Sequence, residues 1–262
     1  SNKSNFLSIL NRRSSELNVS LTDKIFTWGN FDFDGWRTKY KKYKNKIVKT
    51  GSPRFDLWRK QVYLKIFRDE ILYLKKYSPY IFIPSTFINS YEWLKKEIEH
   101  EKKMNKGNTK EPPSFLKKRI RQSKDSYKSY LAYVKMIKEL STKFPKKKII
   151  IKPHPKENII DWKKKLNIKN KYSNIIIHNK FDLTAYIAAS ESVIFTGTIA
   201  GMQSAIMGKK TISYNLKNVS TLRNYANKCV PHTTEIKTLV KYLNKKSITK
   251  NSKYIKKLKN RF

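Results

Sequence analysis

The fold class is decided by the stretch Ser192-Val-Ile-Phe-Thr-Gly-Thr-Ile-Ala-Gly-Met-Gln-Ser-Ala-Ile-Met-Gly-Lys-Lys-Thr-Ile-Ser-Tyr214. It predicts an apolar strand over 192–195, a helix over 199–208 and a second strand over 210–214. The first strand is apolar throughout rather than alternating, which is typical of a strand covered on both faces. This order of strand, helix and strand is one repeat of a parallel sheet.

The same alternation extends back to residue 80. Predicted strands cover 80–83, 148–152 and 174–178, and predicted helices cover 126–144, 159–167 and 181–190. Five such repeats predict an α/β fold with a Rossmann-like parallel sheet covered on both faces. Nearer the start of the chain, short strands over 23–28 and 46–50 flank a helix over 34–43, and a helical stretch follows over 55–77.

Composition bounds the class of protein. The 262 residues are 39% hydrophobic and 13% aromatic, which is enough to bury a core and too much for a disordered chain. The sequence contains no run of eighteen or so apolar residues that would span a membrane, and its first residues do not show the pattern of a secretion signal. The single cysteine, Cys229, excludes an internal disulfide. We therefore expect a cytoplasmic protein.

The formal net charge of +40 comes mostly from lysines spread along the whole chain. A solvated lysine surface explains most of this charge, and it also suits anionic partners, including a peripheral contact with the inner face of the cytoplasmic membrane. Nucleic-acid binders usually carry arginine clusters or a readable motif, and the sequence has neither. We therefore expect no nucleic acid as partner.

Three predicted strands end in residues suited to binding. Pro84-Ser85-Thr86, Lys152-Pro153-His154-Pro155 and Thr196-Gly197-Thr198 follow the strands that end near residues 83, 152 and 195. Parallel sheets of this kind bind ligands beyond the carboxyl ends of their strands. The sequence thus places its candidate site at this edge.

The segment Thr196-Gly197-Thr198 leads directly into a helix. Small and hydroxyl residues here leave the first backbone N–H groups of the helix open to an anion, and the helix dipole adds positive potential. Thr196 and Thr198 are candidate phosphate donors, and Gly197 allows close approach of a ligand. Gly201 and Gln203 lie on the first turns, where the glutamine is a candidate for a ribose or sugar hydroxyl. The alternative is that Thr198 is a simple N-cap and that the small residues only permit tight packing.

His154 is the candidate catalytic residue. Prolines on both sides fix its backbone, so that the imidazole is held at the sheet edge and can bind a phosphate or stabilise a leaving group. Ser85, Thr86, Lys152 and Pro155 complete the predicted phosphate-binding set. The alternative for a lone histidine is that it caps a neighbouring loop.

Three segments carry a resemblance to a known family. Ile151-Lys-Pro-His-Pro155, Phe195–Tyr214 and Lys49-Thr-Gly-Ser-Pro-Arg-Phe-Asp56 resemble the carboxyl half of GT-B glycosyltransferases of bacterial surface carbohydrate and capsule synthesis. Transferases of CMP-linked sugars and CDP-glycerol glycerophosphotransferases are the most similar. The resemblance covers about residues 23–215 and implies the carboxyl-terminal half of a GT-B fold with a truncated amino-terminal domain.

The resemblance implies a division of the chain at residue 78. Residues 1–78 would be a remnant of the amino-terminal Rossmann-like domain with the crossover, and 79–262 a nucleotide-sugar-binding domain with a charged helical excursion over 91–124. His154, Thr196 and Thr198 would contact the nucleotide phosphates. The substrates would be a nucleotide-sugar donor, with CMP-sugars favoured, and a glycan or lipid-linked acceptor.

The sequence departs from this pattern in two ways. Relatives usually carry a glutamate near Gln203 or Ser204, and this chain has no acid there. Only about fifty residues precede the crossover in this sequence, so the resemblance leads us to expect little of the amino-terminal domain that usually supplies the general base. Asp32 and Asp34 are the nearby acids, and solvated or helix-capping roles are the better interpretation.

Other chemistries find less support. No cluster of histidines and carboxylates has metal-ligand spacing, and glycine-rich dinucleotide and ATP motifs are absent, so we expect neither a metal nor a cofactor. Tyr214 is expected to pack against a helix. A glycerophosphotransferase, a nucleotide-sugar epimerase and a non-catalytic basic module that binds anionic glycan or membrane remain as alternatives.

Overall fold

The structure, a computed structural model, describes residues 10–11, 14–87, 96, 99, 113–168, 172–216 and 230–246, with backbone only for 113–119. The chain forms two compact units, of which the first extends to Arg59 and the second begins at Lys60. This division lies nearer the amino terminus than residue 78, because the helices over 60–75 pack against a later helix, 183–189, of the second unit.

The first unit contains a parallel pair of short strands. Its elements are α1 (Glu16–Leu21), β1 (Ile25–Thr27), α2 (Asn30–Lys39), a 3₁₀ helix (Lys41–Lys46), β2 (Ile47–Lys49) and α3 (Pro53–Asp56). Ile25 pairs with Ile47, and the buried Thr27 donates its hydroxyl to the Val48 carbonyl at 3.1 Å. Gly51, at φ 82°, then turns the chain into α3.

The second unit contains a six-stranded sheet. Its strands are β3 (Tyr80–Pro84), β4 (Lys148–Lys152), β5 (Ile175–Ile177), β6 (Ser192–Phe195), β7 (Lys210–Tyr214) and β8 (His232–Thr233). Its helices are α4 (Lys60–Ile66), α5 (Arg68–Lys75), α6 (Pro113–Lys143), α7 (Ile159–Leu166), α8 (Leu183–Ala189), α9 (Ile199–Ile206) and α10 (Ile236–Asn244).

All strand pairs in this sheet are parallel, in the spatial order β5-β4-β3-β6-β7-β8. The chain thus begins in the middle of the sheet, winds outward to β5, and returns to the other side at β6. This is the doubly wound order of a Rossmann-like fold, and it confirms the predicted α/β class. The reversal between β3 and β6 opens a crevice at the carboxyl ends of these two strands.

Apolar side chains alternate between the two faces of the sheet. Ile83 and Ile151 face a core formed with α6, α7 and α10, whereas Phe82 and Ile150 face a core formed with α5 and α8. All five residues of β3 are buried. Each such aliphatic or aromatic side chain contributes about 1.5–3 kcal/mol on burial. The sheet is therefore held rigidly at its centre, next to the crevice.

Polar residues cap the helices that follow the strand ends. The side chain of Asn158 accepts the Ile160 amide at 2.8 Å to begin α7, and that of Asp182 accepts the Thr184 amide at 2.7 Å to begin α8. Asn167 ends α7 in the left-handed conformation, at φ 51°. These caps fix the loops after β4 and β5.

The helices differ from the predictions in three places. The helix predicted over 34–43 begins earlier, at Asn30, and gives way to a 3₁₀ turn. The stretch over 55–77 is divided into three short helices. The predicted charged helical excursion over 91–124 overlaps α6, because residues 113–124 belong to the same continuous helix as residues 126–143. The rest of that segment lies mostly outside the described residues.

Gly201 permits close packing of α9 on β6. A Cβ atom at this position would lie 2.0 Å from the ring of Phe195, which is fully buried. No side chain fits at that distance, and a buried ring has little room to move. The glycine is therefore explained by packing.

We expect Gly201→Ala to lower the free energy of unfolding by about 1–3 kcal/mol, because the new methyl group overpacks the core. Urea denaturation measures this change. A Phe195→Leu substitution should partly relieve it, so the double variant should lose less than the sum of the two single losses. Strict additivity would contradict the close contact.

Candidate functional site

The predicted strand ends meet at one edge of the sheet. Strand β3 lies between β4 and β6, so the loops after β4 and β6 are two strand spacings apart, about 10 Å. The loop after β3, with Ser85 and Thr86, lies between them. The structure thus brings the three predicted segments together at the crevice of the doubly wound sheet.

His154 lies in a tight turn after β4. Its carbonyl oxygen accepts the backbone amide of Glu157 at 2.8 Å, and its ring Nδ1 accepts the backbone amide of Lys156 at 3.1 Å. Pro153 before it is buried, and Pro155 after it is exposed. Because Nδ1 is an acceptor, the neutral ring carries its proton on Nε2. The half-buried imidazole therefore has a defined donor nitrogen.

Ser85 connects the end of β3 to the His154 turn. Its backbone amide donates to the Lys152 carbonyl at 2.9 Å, and its hydroxyl donates to the two carboxylate oxygens of Glu157, at 2.8 and 2.6 Å. Only 7% of Ser85 is exposed. Its hydroxyl proton is thus directed at Glu157. Thr86, which follows, is half-buried.

Glu157 is a site residue that sequence reasoning missed. The indole Nε1 of Trp162 donates to the same carboxylate at 2.8 Å. Burial raises the pKa of Glu157 to about 7, even though the bonds from Ser85 and Trp162 and the backbone amides of His154 and Phe87 favour the charged form. The available signal was an acid two residues after His-Pro in a strand-end loop.

Thr198 stands at the start of α9. It has the extended backbone of an N-cap residue, at φ −108° and ψ 161°, yet its side chain makes no capping hydrogen bond. Its Oγ1 is buried and has no hydrogen-bond partner among the described residues. The preceding Gly197 has a φ of 54°, which favours glycine. The first turn of α9 therefore presents an uncapped start and an unused hydroxyl.

Thr196 has a different environment. Only 3% of it is exposed, and its hydroxyl makes a short hydrogen bond to Oδ1 of Asn215, beyond the end of β7. The amide nitrogen of Asn215 in turn donates to the Ser213 hydroxyl at 2.6 Å. Thr196 is thus part of a buried network that joins β6 to β7. In this conformation its proton is not directed at a ligand.

Two residues on α9 serve packing in this structure. Gly201 faces Phe195, and Gln203 is 4% exposed with its amide nitrogen donating to the Thr184 hydroxyl on α8 at 2.8 Å. The predicted contact of Gln203 with a ribose or sugar hydroxyl would require this bond to break.

Lys152 lies on the α8 side of the sheet. Its Nζ is 3.3 Å from the Asn179 carbonyl oxygen and 5.2 Å from the centre of the Tyr186 ring. Burial lowers the pKa of Lys152, while Asp182 and Glu70 oppose that shift. The side chain that the sequence assigned to phosphate is thus engaged with the β5–α8 loop.

Tyr214 packs as the sequence predicts. Its ring lies 5.5 Å from that of Tyr133 on α6, and its carbonyl oxygen accepts the Tyr133 hydroxyl at 2.9 Å.

Within the described parts of the chain, no group of three or more histidine, cysteine, aspartate or glutamate side chains is placed to hold a metal ion. A membrane-crossing helix would need greater length and apolarity than any described helix has.

Solved structures similar to this chain include those of the wall teichoic acid polymerase TagF. A substituted form soaked with CDPG aligns with a TM-score of 0.47 and 14% identity, over 96% of this chain and 55% of that chain. Another TagF structure aligns with a TM-score of 0.47 and 12% identity, over 96% of this chain and 56% of that chain. The chain therefore spans little more than half the length of these structures. No protein-family model and no curated protein matches the sequence.

The raised pKa of Glu157 predicts a specific pH dependence of stability. Between the unfolded pKa of about 4.3 and the folded value of about 7, the folded protein keeps a proton that the unfolded chain has released. Stability from this group is therefore complete below the window and falls as pH rises, by up to about 1.4 kcal/mol per pH unit. Above the folded pKa the loss is complete.

Glu157→Gln removes this titration. Urea denaturation measures the free energy of unfolding of both proteins. We expect the value for the wild type, relative to that of the variant, to decrease as the pH rises from 5 to 8. Asp161→Asn, on the first turn of α7, is the control. It should keep the wild-type dependence of the free energy of unfolding on pH. Parallel curves for wild type and Glu157→Gln would contradict the raised pKa.

Proposed function

We propose that this chain carries the donor-binding half of a GT-B type transferase that moves a sugar from a nucleotide-activated donor to a bacterial surface polysaccharide. A CMP-linked sugar is the first choice of donor, and CDP-linked glycerol is the second. The observation that carries the proposal is the buried hydroxyl of Thr198, which has no partner among the described residues, at the uncapped start of α9.

An anion fits this position for electrostatic reasons. The start of a helix carries about half a positive charge, and the N–H groups of its first turn point outward to a ligand. Thr198 adds a hydroxyl donor, and Gly197 has no side chain to keep a phosphate from the backbone. A phosphate oxygen of the nucleotide would accept a hydrogen bond from the Thr198 hydroxyl.

The second residue of the proposed site is His154, on the loop after β4. Its Nε2 proton can be donated to a phosphate oxygen about two strand spacings from Thr198. A nucleotide diphosphate, or a phosphate with its sugar, has the length to reach both. Thr86 lies on the loop between them.

The reaction that follows is a direct displacement. An acceptor hydroxyl oxygen forms a bond to the anomeric carbon, the bond from that carbon to the phosphate oxygen breaks, and its electron pair stays on the nucleotide phosphate. Charge therefore accumulates on the leaving phosphate. In this proposal the start of α9 stabilises the part of the donor nearer Thr198, and the His154 proton stabilises the part nearer the turn after β4. The acceptor proton passes to a base, which we do not assign to the three strand ends.

The basic surface suits the remaining substrates. A charge of +40 raises the local concentration of anionic donor and of an anionic polymer or lipid-linked acceptor. It also favours a peripheral position at the inner, anionic face of the cytoplasmic membrane. We propose this as the cellular location of the reaction.

Calorimetric titration of the purified chain with CMP, CDP and UDP at two salt concentrations tests the binding. We expect a cytidine nucleotide to bind best, with an affinity that depends only moderately on salt. Absence of binding at millimolar nucleotide would contradict the proposal. Equal binding of all three nucleotides with a steep salt dependence would support the basic module instead, because screening removes a purely electrostatic attraction.

Thr198→Val and Thr196→Val form a matched pair for the same measurement. The first should weaken cytidine nucleotide binding about tenfold with little change in the free energy of unfolding, since it removes a donor that has no partner among the residues that the structure describes. The second should lower the free energy of unfolding by about 1–3 kcal/mol, because Asn215 loses its bond. The reverse pattern would indicate that the phosphate contacts Thr196 and not Thr198.

A further inference from the structure

We propose that Glu157 is a positioning residue, which acts through His154 by tying the turn after β4 to the end of β3. The consequence for nucleotide binding rests on the function proposed above, whereas the effect on the histidine does not.

The carboxylate of Glu157 connects three separate segments. Ser85 donates to it from the end of β3, Trp162 donates to it from α7, and Glu157 itself belongs to the loop between β4 and α7. Ser85 also bonds through its amide to the Lys152 carbonyl, so the β3 loop is bound both to the end of β4 and to the acid beyond it. The acid therefore closes a ring of contacts around the His154 turn.

The backbone of Glu157 contacts His154 directly. Its amide donates to the His154 carbonyl at 2.8 Å, and this bond forms the turn in which the Lys156 amide reaches the imidazole Nδ1 at 3.1 Å. The ring orientation, and the assignment of the proton to Nε2, both depend on that second bond. A shift of the turn would release Nδ1 and free the ring to rotate.

Packing gives this arrangement its rigidity. Trp162 is 1% exposed, and its ring lies 4.7 Å from that of Tyr130 on α6. Phe87, two residues after Ser85, lies 4.9 Å from the ring of Tyr133. The donors to Glu157 are thus themselves held in the core, so the carboxylate has little freedom to follow a different partner.

Stability alone does not explain an acid at this position. Enclosing a carboxylate carries a desolvation penalty, which is visible in the raised pKa of Glu157. A carboxylate accepts several donors at once, and here the two side-chain donors come from two different elements. A glutamine amide in its place would have only one acceptor oxygen, and its NH₂ group would face a donor with another donor. The Glu157 carboxylate thus fixes the geometry of the His154 turn, although its burial lowers the stability of the fold.

The test uses the imidazole as its own reporter. In the full chain labelled with ¹⁵N-histidine, the spectrum of His154, assigned with His154→Gln, reports which ring nitrogen carries the proton at pH 8, above the usual imidazole range. We expect the Nε2–H tautomer in wild type and a mixture of tautomers in Glu157→Ala. We also expect CDP affinity in that variant to fall about tenfold, by loss of an oriented hydrogen bond.

Four further variants complete the design. Glu157→Gln keeps one acceptor oxygen and should retain the wild-type tautomer with an intermediate affinity. Asp161→Asn, which removes a carboxyl four residues along the chain, should change neither readout. If Glu157→Ala does not fold, Ser85→Ala and Trp162→Phe each remove one donor from the carboxylate and should shift the tautomer in the same direction.

The outcomes separate this inference from the function on which it builds. An unchanged tautomer in Glu157→Ala, or in both donor variants if that protein is unfolded, would overturn the positioning role whatever happens to affinity. A wild-type chain that binds neither CMP nor CDP would overturn the proposed function, and the tautomer would still decide the role of Glu157.

Discussion

The site depends on strand β3 and its position between β4 and β6. All five residues of β3 are buried, and its neighbours on both sides are parallel to it. Because the strands run in the same direction, their carboxyl ends share one edge, and the reversal of winding beside β3 keeps that edge open. His154 and Thr198 lie far apart in sequence, and the hydrogen-bond ladders of one buried strand place them near each other. Loss of register in β3 would separate them.

Electrostatics at this edge differ from those of the chain as a whole. The overall charge is strongly positive, yet the donors at the crevice are an imidazole, a hydroxyl and backbone amides, and the ionisable residue enclosed beside them is the acid Glu157. Lys152, the nearest strand-end lysine in sequence, is engaged with Asn179 on the α8 side. The site thus relies on oriented dipoles, which discriminate geometry better than dispersed lysines do. In the proposed function, the lysine surface attracts an anion and the crevice selects it.

The sequence predicted the strands well because they are apolar throughout and bounded by proline, glycine and polar residues. It also predicted that the three polar strand ends share one edge of the sheet, since that follows from parallel strands, whereas their adjacency follows from the strand order that the structure shows. It could not assign the individual hydroxyls. Thr196 and Thr198 are equivalent in the sequence pattern, yet Thr196 is bonded to Asn215, whereas the Thr198 hydroxyl has no partner within the described parts of the chain. Gln203 depends on Thr184, a partner on another helix, which no local spacing reveals. Glu157 was missed for the same reason, because its donors come from β3 and α7.

The central claim is that a nucleotide phosphate lies at the carboxyl edge of the sheet, between the turn after β4 and the start of α9. A crystal structure of the chain soaked with CDP tests it most directly. The account predicts a phosphate oxygen within hydrogen-bond distance, about 3 Å, of the Thr198 hydroxyl, with the other end of the diphosphate turned toward His154 Nε2. Well-ordered CDP bound elsewhere, with the start of α9 left empty, would contradict it.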